Sequence, residues 1–135
     1  MLWKYFRICE NSFKTIDFSK LVEVFFASHD PTTLNKQGPD IGTHYRSIAF
    51  YEIEEERIII EKEIKRLLDN KIYDLIVTEV RNFEKFYLAE HYHQDYKIKN
   101  PNNPYIWNVS VPRIEKFKSN YSHLLKKDWF LIKFL

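Results

Sequence analysis

The chain contains two glycines, Gly38 and Gly42, and both fall in one stretch, residues 29–51, which reads HDPTTLNKQGPDIGTHYRSIAFY. Glycine adopts backbone conformations that other residues reach poorly, so a chain this sparing of it has gathered its sharpest turns into a single loop. Pro31, Pro39, Asn35, Asp40 and several threonines accompany the two glycines, a composition suited to successive turns. Residues 29–44 are therefore read as one long loop. Long ordered loops in compact domains are commonly functional.

The apolar spacing on either side sets the elements that carry this loop. From Asp17, a suitable N-cap, Phe18, Leu21, Val22 and Phe25 recur at helical intervals with Lys20 and Glu23 opposite them, which predicts a helix ending near Ser28. Arg46–Tyr51 is short, apolar and aromatic, a buried strand. Residues 53–69 place Ile53, Arg57, Ile60, Ile64 and Leu67 near one face, with Glu54, Glu55 and Glu56 in the first turn and Lys65 and Arg66 late, as the helix dipole favours. Leu75–Val80 reads as a further strand and residues 87–98 as a shorter aromatic helix. Pro101–Pro104 breaks that helix, and a last amphipathic helix runs from about Pro112 to Leu125. Trp3–Ile8 suits a short edge strand. With 135 residues and no repeat or linker, one domain is expected, and the alternation of strands and helices suggests an α+β or α/β two-layer architecture.

Charge and cysteine usage exclude several functions. A net charge of +2, with lysines scattered among carboxylates, gives no basic stripe to follow a phosphate backbone, so no nucleic-acid partner is expected. The single cysteine, Cys9, rules out an internal disulfide and argues against a Cys-based zinc site; a reducing cytoplasmic location fits. The opening MLWKYFRICEN has no apolar core followed by a small-residue cleavage site, and so does not read as a secretory signal. The apolar tail WFLIKFL, residues 129–135, falls well short of the roughly 20 residues that span a bilayer, so no membrane partner is expected.

Three stretches together are closely similar to the A-type peptide methionine sulfoxide reductases (the MsrA family): residues 29–51, FYLAEHYHQDY at 86–96 and NPNNPYI at 100–106, within a resemblance running over roughly residues 7–125. The resemblance implies a two-layer α+β domain with a mixed, ferredoxin-like sheet, of which this chain would hold the later part. An earlier strand and helix would be absent, and exposed sheet edge and core surface would favour self-association. It implies thiol-dependent reduction of methionine-S-sulfoxide in peptides and proteins, a repair of oxidative damage, with thioredoxin as reductant and no bound cofactor or metal. By the same resemblance Tyr45 corresponds to a tyrosine whose hydroxyl contacts the sulfoxide oxygen, and Asp40 to the aspartate that sets the polar surroundings. His93 and Tyr96 match the family's His-Gln-x-Tyr segment and its polar network. On a helix these two, three apart, share a face.

Simpler readings stand beside these. Asp40 suits an ordinary turn, Tyr45 a buried aromatic with a satisfied hydroxyl, and His29 a structural histidine. His91 and His93, two apart, would point to opposite sides of a helix and so do not suggest a metal site. The family's nucleophile motif, Gly-Cys-Phe-Trp, occurs nowhere in the sequence, and the family's first substrate tyrosine and active-site glutamate have no counterpart. Cys9 sits in FRICENS beside Glu10, whose charge would raise a thiol pKa, and is read as a small core or edge residue that does not replace the nucleophile. No resolving cysteine follows residues 100–106. The expectation is an N-terminally truncated, catalytically incomplete family member. The alternative is a non-enzymatic descendant that binds methionine sulfoxide or a protein partner.

Overall fold

The computed structural model describes residues 16–124. The expected edge strand at Trp3–Ile8, Cys9 and the apolar tail lie outside the described residues. The chain divides into two compact units, one through Lys85 and one from Phe86, and each is described by itself.

In the first unit, helix α1 spans Phe18–Ser28. Asp17 occupies its N-cap, but its carboxylate accepts from the Ser19 hydroxyl instead of capping a helix amide. The deepest α1 side chain is Phe26, at 1% exposure, with Val22 and Val24 also buried. A miniature antiparallel hairpin follows inside the expected loop: β1, Lys36–Gln37, pairs with β2, Asp40–Ile41. Gly38 and Pro39 are the two turn residues, and Gly38 takes φ 60°, the conformation that a tight hairpin asks of its first turn position. A 3₁₀ turn, Thr43–Tyr45, leads into strand β3, Ile48–Tyr51.

Helix α2 spans Glu54–Asp69. Its three first-turn glutamates face the positive end of the dipole, and Glu56 reaches back to accept from the Glu52 amide at 2.7 Å. At its other end Lys71 adopts φ 54°; its amide bonds to the Leu68 carbonyl, and the Ile72 amide to that of Leu67, each at 3.0 Å. These two bonds make a Schellman closure built on lysine where glycine is usual.

Strand β4, Glu79–Asn82, then pairs in parallel with β3, from Ile48 opposite Glu79 to Tyr51 opposite Asn82. The expected strand at Leu75–Val80 is thus shifted towards the C-terminus. The residues before Glu79 lie beyond the start of β3, opposite a turn that offers no ladder, and the Val77 amide bonds to the Pro31 carbonyl instead, at 2.9 Å. Helices α1 and α2 pack on each other, and α2 packs on both strands. Val22, Phe26, Ala49, Ile60 and Leu67 form the buried core, bordered by Phe18, Phe25, Tyr51, Ile59, Ile64, Tyr73, Ile76 and Val80. Alternation along β3 turns Ala49 and Tyr51 to this core and leaves Phe50, 41% exposed, in an edge-to-face contact with Phe83 at 6.1 Å.

The second unit holds no continuous helix over residues 87–98. A 3₁₀ turn at His91–His93 and a single turn of helix α3, Tyr96–Lys99, are separated by Asp95 at φ 55°, which reverses the helical path. After the Pro101–Pro104 segment a π turn, Ile106–Ser110, runs into helix α4, Val111–Tyr121, with Pro112 in its opening turn and a 3₁₀ turn, Ser122–Leu124, beyond. Ile106 is the one buried side chain among the described residues of this unit. The described residues combine helices with a parallel and an antiparallel strand pair, an α+β fold.

Candidate functional site

The loop joining α1 to β3 is held by its own side chains before it meets anything else. The Asp30 carboxylate accepts from the Thr32 amide at 2.9 Å and the Thr32 hydroxyl at 2.6 Å. Burial pushes the Asp30 carboxyl up, but these two bonds, together with the nearby His29 ring and the Thr33 hydroxyl, outweigh it and the pKa lies below the usual value. The Gln37 amide spans the loop, donating to the Asp30 carbonyl at 2.6 Å and accepting from the Asp30 amide at 3.1 Å. Thr33 donates to the Lys36 carbonyl at 2.8 Å. The hairpin carrying Asp40 is thereby fastened to the end of α1.

Gly42 turns the chain from this hairpin towards Tyr45. Its φ of 148° and ψ of 160° lie in a region essentially reserved for glycine, and a Cβ there would meet the His44 ring at 3.0 Å. The Gly42 amide bonds to the Asn35 carbonyl at 2.9 Å and its carbonyl accepts from the Tyr45 amide at 3.0 Å. Tyr45 emerges half-buried at the end of the 3₁₀ turn, its ring 4.6 Å from that of His44. The next residue, Arg46, closes the turn by donating to the Thr43 carbonyl at 2.6 Å and approaches Glu79 at 3.4 Å. Asp40, also half-buried, lies five residues earlier on β2.

In the second unit His93 and Tyr96 come together although no continuous helix joins them, with ring centroids 6.5 Å apart. His93 stacks at a tilt on Tyr92, centroids 4.2 Å apart, and its Nε2 lies 3.9 Å from the Glu90 carboxylate. The Asn103 amide donates to the Tyr96 hydroxyl at 3.2 Å and that of Asn100 to the Tyr96 carbonyl at 2.9 Å. The NPNNPYI segment therefore wraps Tyr96. Among the described residues no three His, Cys, Asp or Glu side chains converge as metal ligands, and no helix is long and apolar enough to cross a membrane.

Comparison with known proteins identifies this arrangement. A family model described as peptide methionine sulfoxide reductase matches residues 10–125. The chain belongs to the peptide methionine sulfoxide reductase family. The peptide methionine sulfoxide reductase MsrA of Haloquadratum walsbyi is 47% identical over 110 residues, which make up 82% of this chain and 63% of that protein. Its counterpart in Saccharolobus solfataricus is 44% identical over 111 residues, 82% of this chain and 62% of the relative. The chain thus spans somewhat less than two thirds of these curated relatives. Among solved structures, Mxr1 from Saccharomyces cerevisiae in its reduced form superposes with a TM-score of 0.61 at 38% identity, covering 67% of this chain and 50% of that one. Methionine sulfoxide reductase A of Corynebacterium diphtheriae gives 0.54 at 30% identity, covering 67% and 48%.

These neighbours confirm the expected fold class, an α+β methionine sulfoxide reductase domain. Sequence reasoning did not find the hydroxyls that seat the family loop. Ser47, 4% exposed, is the buried polar residue at the entrance to β3, and it bonds to both His29 and Thr78. A serine directly before an apolar strand was the available signal. Asn100 and Asn103 were visible only as members of a Pro-bounded turn.

Proposed function

We propose that this chain provides the oxygen-handling side of a site for methionine-S-sulfoxide in peptides or proteins, with Tyr45 donating to the sulfoxide oxygen and Asp40 setting the polarity around it. In such a reduction a thiolate attacks sulfur while the oxygen is protonated; methionine leaves and the thiol is left as a sulfenic acid. Two external thiols would then return it to the thiol, releasing water and forming a disulfide. Cys9, the one thiol in the sequence, offers no partner for that second step, which supports an external reductant of the thioredoxin kind and a cytoplasmic setting. The observation that carries the reading is the Gly42 turn, which uses a glycine-only conformation to lead from one half-buried polar residue, Asp40, to another, Tyr45. In the second unit His93 and Tyr96 form a polar cluster of their own. Exposed apolar side chains such as Phe50 and Ile53, at 41% and 56% exposure, support self-association.

A second reading is a non-enzymatic binder of methionine sulfoxide or of a protein partner. The test has two arms. The chain alone, assayed on separate S and R sulfoxide peptides with excess dithiothreitol beside Cys9→Ser, is expected to turn over neither epimer; S-epimer turnover lost in Cys9→Ser would make Cys9 the nucleophile. Joined behind the residues that precede the match in the Haloquadratum walsbyi relative, the chain is expected to reduce the S epimer. Tyr45→Phe should then lower kcat by roughly 10²–10³-fold, the usual loss on removing one oxyanion donor. An unchanged kcat would remove Tyr45 from the site.

A further inference from the structure

His29 ends α1 and begins the family loop, and its ring meets two partners at once. Nδ1 lies 2.7 Å from the Phe25 carbonyl oxygen and Nε2 lies 2.7 Å from Ser47 Oγ, which in turn is 2.8 Å from Thr78 Oγ1. A carbonyl only accepts, so Nδ1 carries a proton. Burial lowers the pKa of the ring and keeps it neutral, which leaves Nε2 an acceptor for the Ser47 hydroxyl. Ser47 has then spent its proton, and the Thr78 hydroxyl donates to it. The result is one directed chain, Thr78 to Ser47 to His29 to Phe25, whose ring is flanked by Phe25 and Phe26 with centroids at 4.4 and 6.3 Å.

This chain ties three segments together. The Phe25 carbonyl is one of the last of α1 and accepts from the Ser28 hydroxyl at 2.9 Å as well as from His29; Ser47 precedes β3; Thr78 precedes β4. We propose that His29 is a positioning residue for Tyr45: through Ser47 it fixes the point, two residues downstream of Tyr45, from which the Thr43–Tyr45 turn departs. Its consequence for sulfoxide handling rests on the function proposed above, but the clamp itself is a property of the chain and is tested without turnover.

Two substitutions divide the ring's bonds. Asn can imitate Nδ1 and keep the bond to Phe25 while failing to reach Ser47; Gln can imitate Nε2 and accept from Ser47 while giving up Phe25. Amide hydrogen exchange is read at Gly42 and Tyr45, whose amides bond within the loop, and at Ile64 in α2. His29→Asn and Ser47→Ala are each expected to speed exchange at Gly42 and Tyr45 by roughly tenfold, about what one lost hydrogen bond is worth, and to leave Ile64 unchanged. His29→Gln should leave all three as they are. Ring nitrogen chemical shifts of the unaltered chain should report the Nδ1–H tautomer. The proposal is overturned by an equal rise at Ile64, which is general destabilisation, by His29→Gln matching His29→Asn, or by no change in the loop. If the variants do not fold, an Nε2–H tautomer in the unaltered chain overturns it, and failure of the sulfoxide assay leaves each of these readings in place.

Discussion

Replacing Gly42 with alanine separates two costs that coincide at one position. The first is backbone strain. At φ 148° and ψ 160° an L-residue sits where almost none are found, and holding one there costs about 1–3 kcal/mol. The second is contact, since the new Cβ would lie 3.0 Å from His44 Cε1 and 3.1 Å from Nε2. His44 is exposed, so its ring can rotate away and the contact should account for the smaller part. Gly42→Ala is therefore expected to destabilise by about 1–3 kcal/mol, which at a urea slope of about 2 kcal/mol/M lowers the midpoint by about 0.5–1.5 M. His44→Ala in the same background should recover less than half of the loss, as a double-mutant cycle would measure. Full recovery by His44→Ala would refute the argument from backbone strain.

Two further outcomes follow from the same geometry. Lys71→Gly should stabilise the chain by about 1 kcal/mol, because Lys71 closes α2 at φ 54°, a conformation glycine takes without penalty; a denaturation midpoint that falls would show that the lysine side chain contributes more than its backbone costs. His29 should make stability depend on pH: its folded pKa is depressed by burial below the ordinary 6.5, so below that value the unfolded chain binds more protons. Stability is then fully present above about pH 6.5 and declines as pH falls through the folded pKa. The decline should be shallower in His29→Gln, and parallel pH profiles for the two proteins would exclude His29 as its source.

What the sequence revealed and what it concealed divide along one physical line. The helices were legible because apolar side chains repeat at helical spacing, although α1 is apolar on more than one side. The spacing picked out Phe18, Leu21, Val22 and Phe25, yet Phe26 is the residue driven to 1% exposure. In α2 Ile60 and Leu67 are buried as the pattern required, whereas Ile53 is 56% exposed and Arg57 pairs with Glu54 and Glu61 in solvent. The position of β4 was not legible, because a strand begins where its partner does. The break at Asp95 was hidden for a related reason: three residues other than glycine, Asn35, Lys71 and Asp95, take positive φ among the described residues, and only asparagine and aspartate give even a weak warning of it.

The family loop shows the same division within sixteen residues. Its internal bonds, Asp30 to Thr32, Thr33 to Lys36 and Gln37 to Asp30, join residues two to seven apart, so they follow from local sequence, as do the turns at Gly38 and Gly42. Such bonds give the loop a shape but do not say where that shape stands on the strands. That is decided by the bonds from His29 to Ser47 and from Ser47 to Thr78, across 18 and 31 residues, and by the Val77 amide on the Pro31 carbonyl. A reader of the sequence therefore sees the turns that shape the loop, singles out Asp40 and Tyr45 by the family resemblance, and passes over Ser47 and Thr78, whose partners are distant in sequence. In the proposed function, where a hydroxyl would be held against one sulfoxide oxygen, an error of about 1 Å would be enough to cost a hundredfold in rate. The distant, unmarked residues that seat the loop then matter as much as the marked ones that shape it.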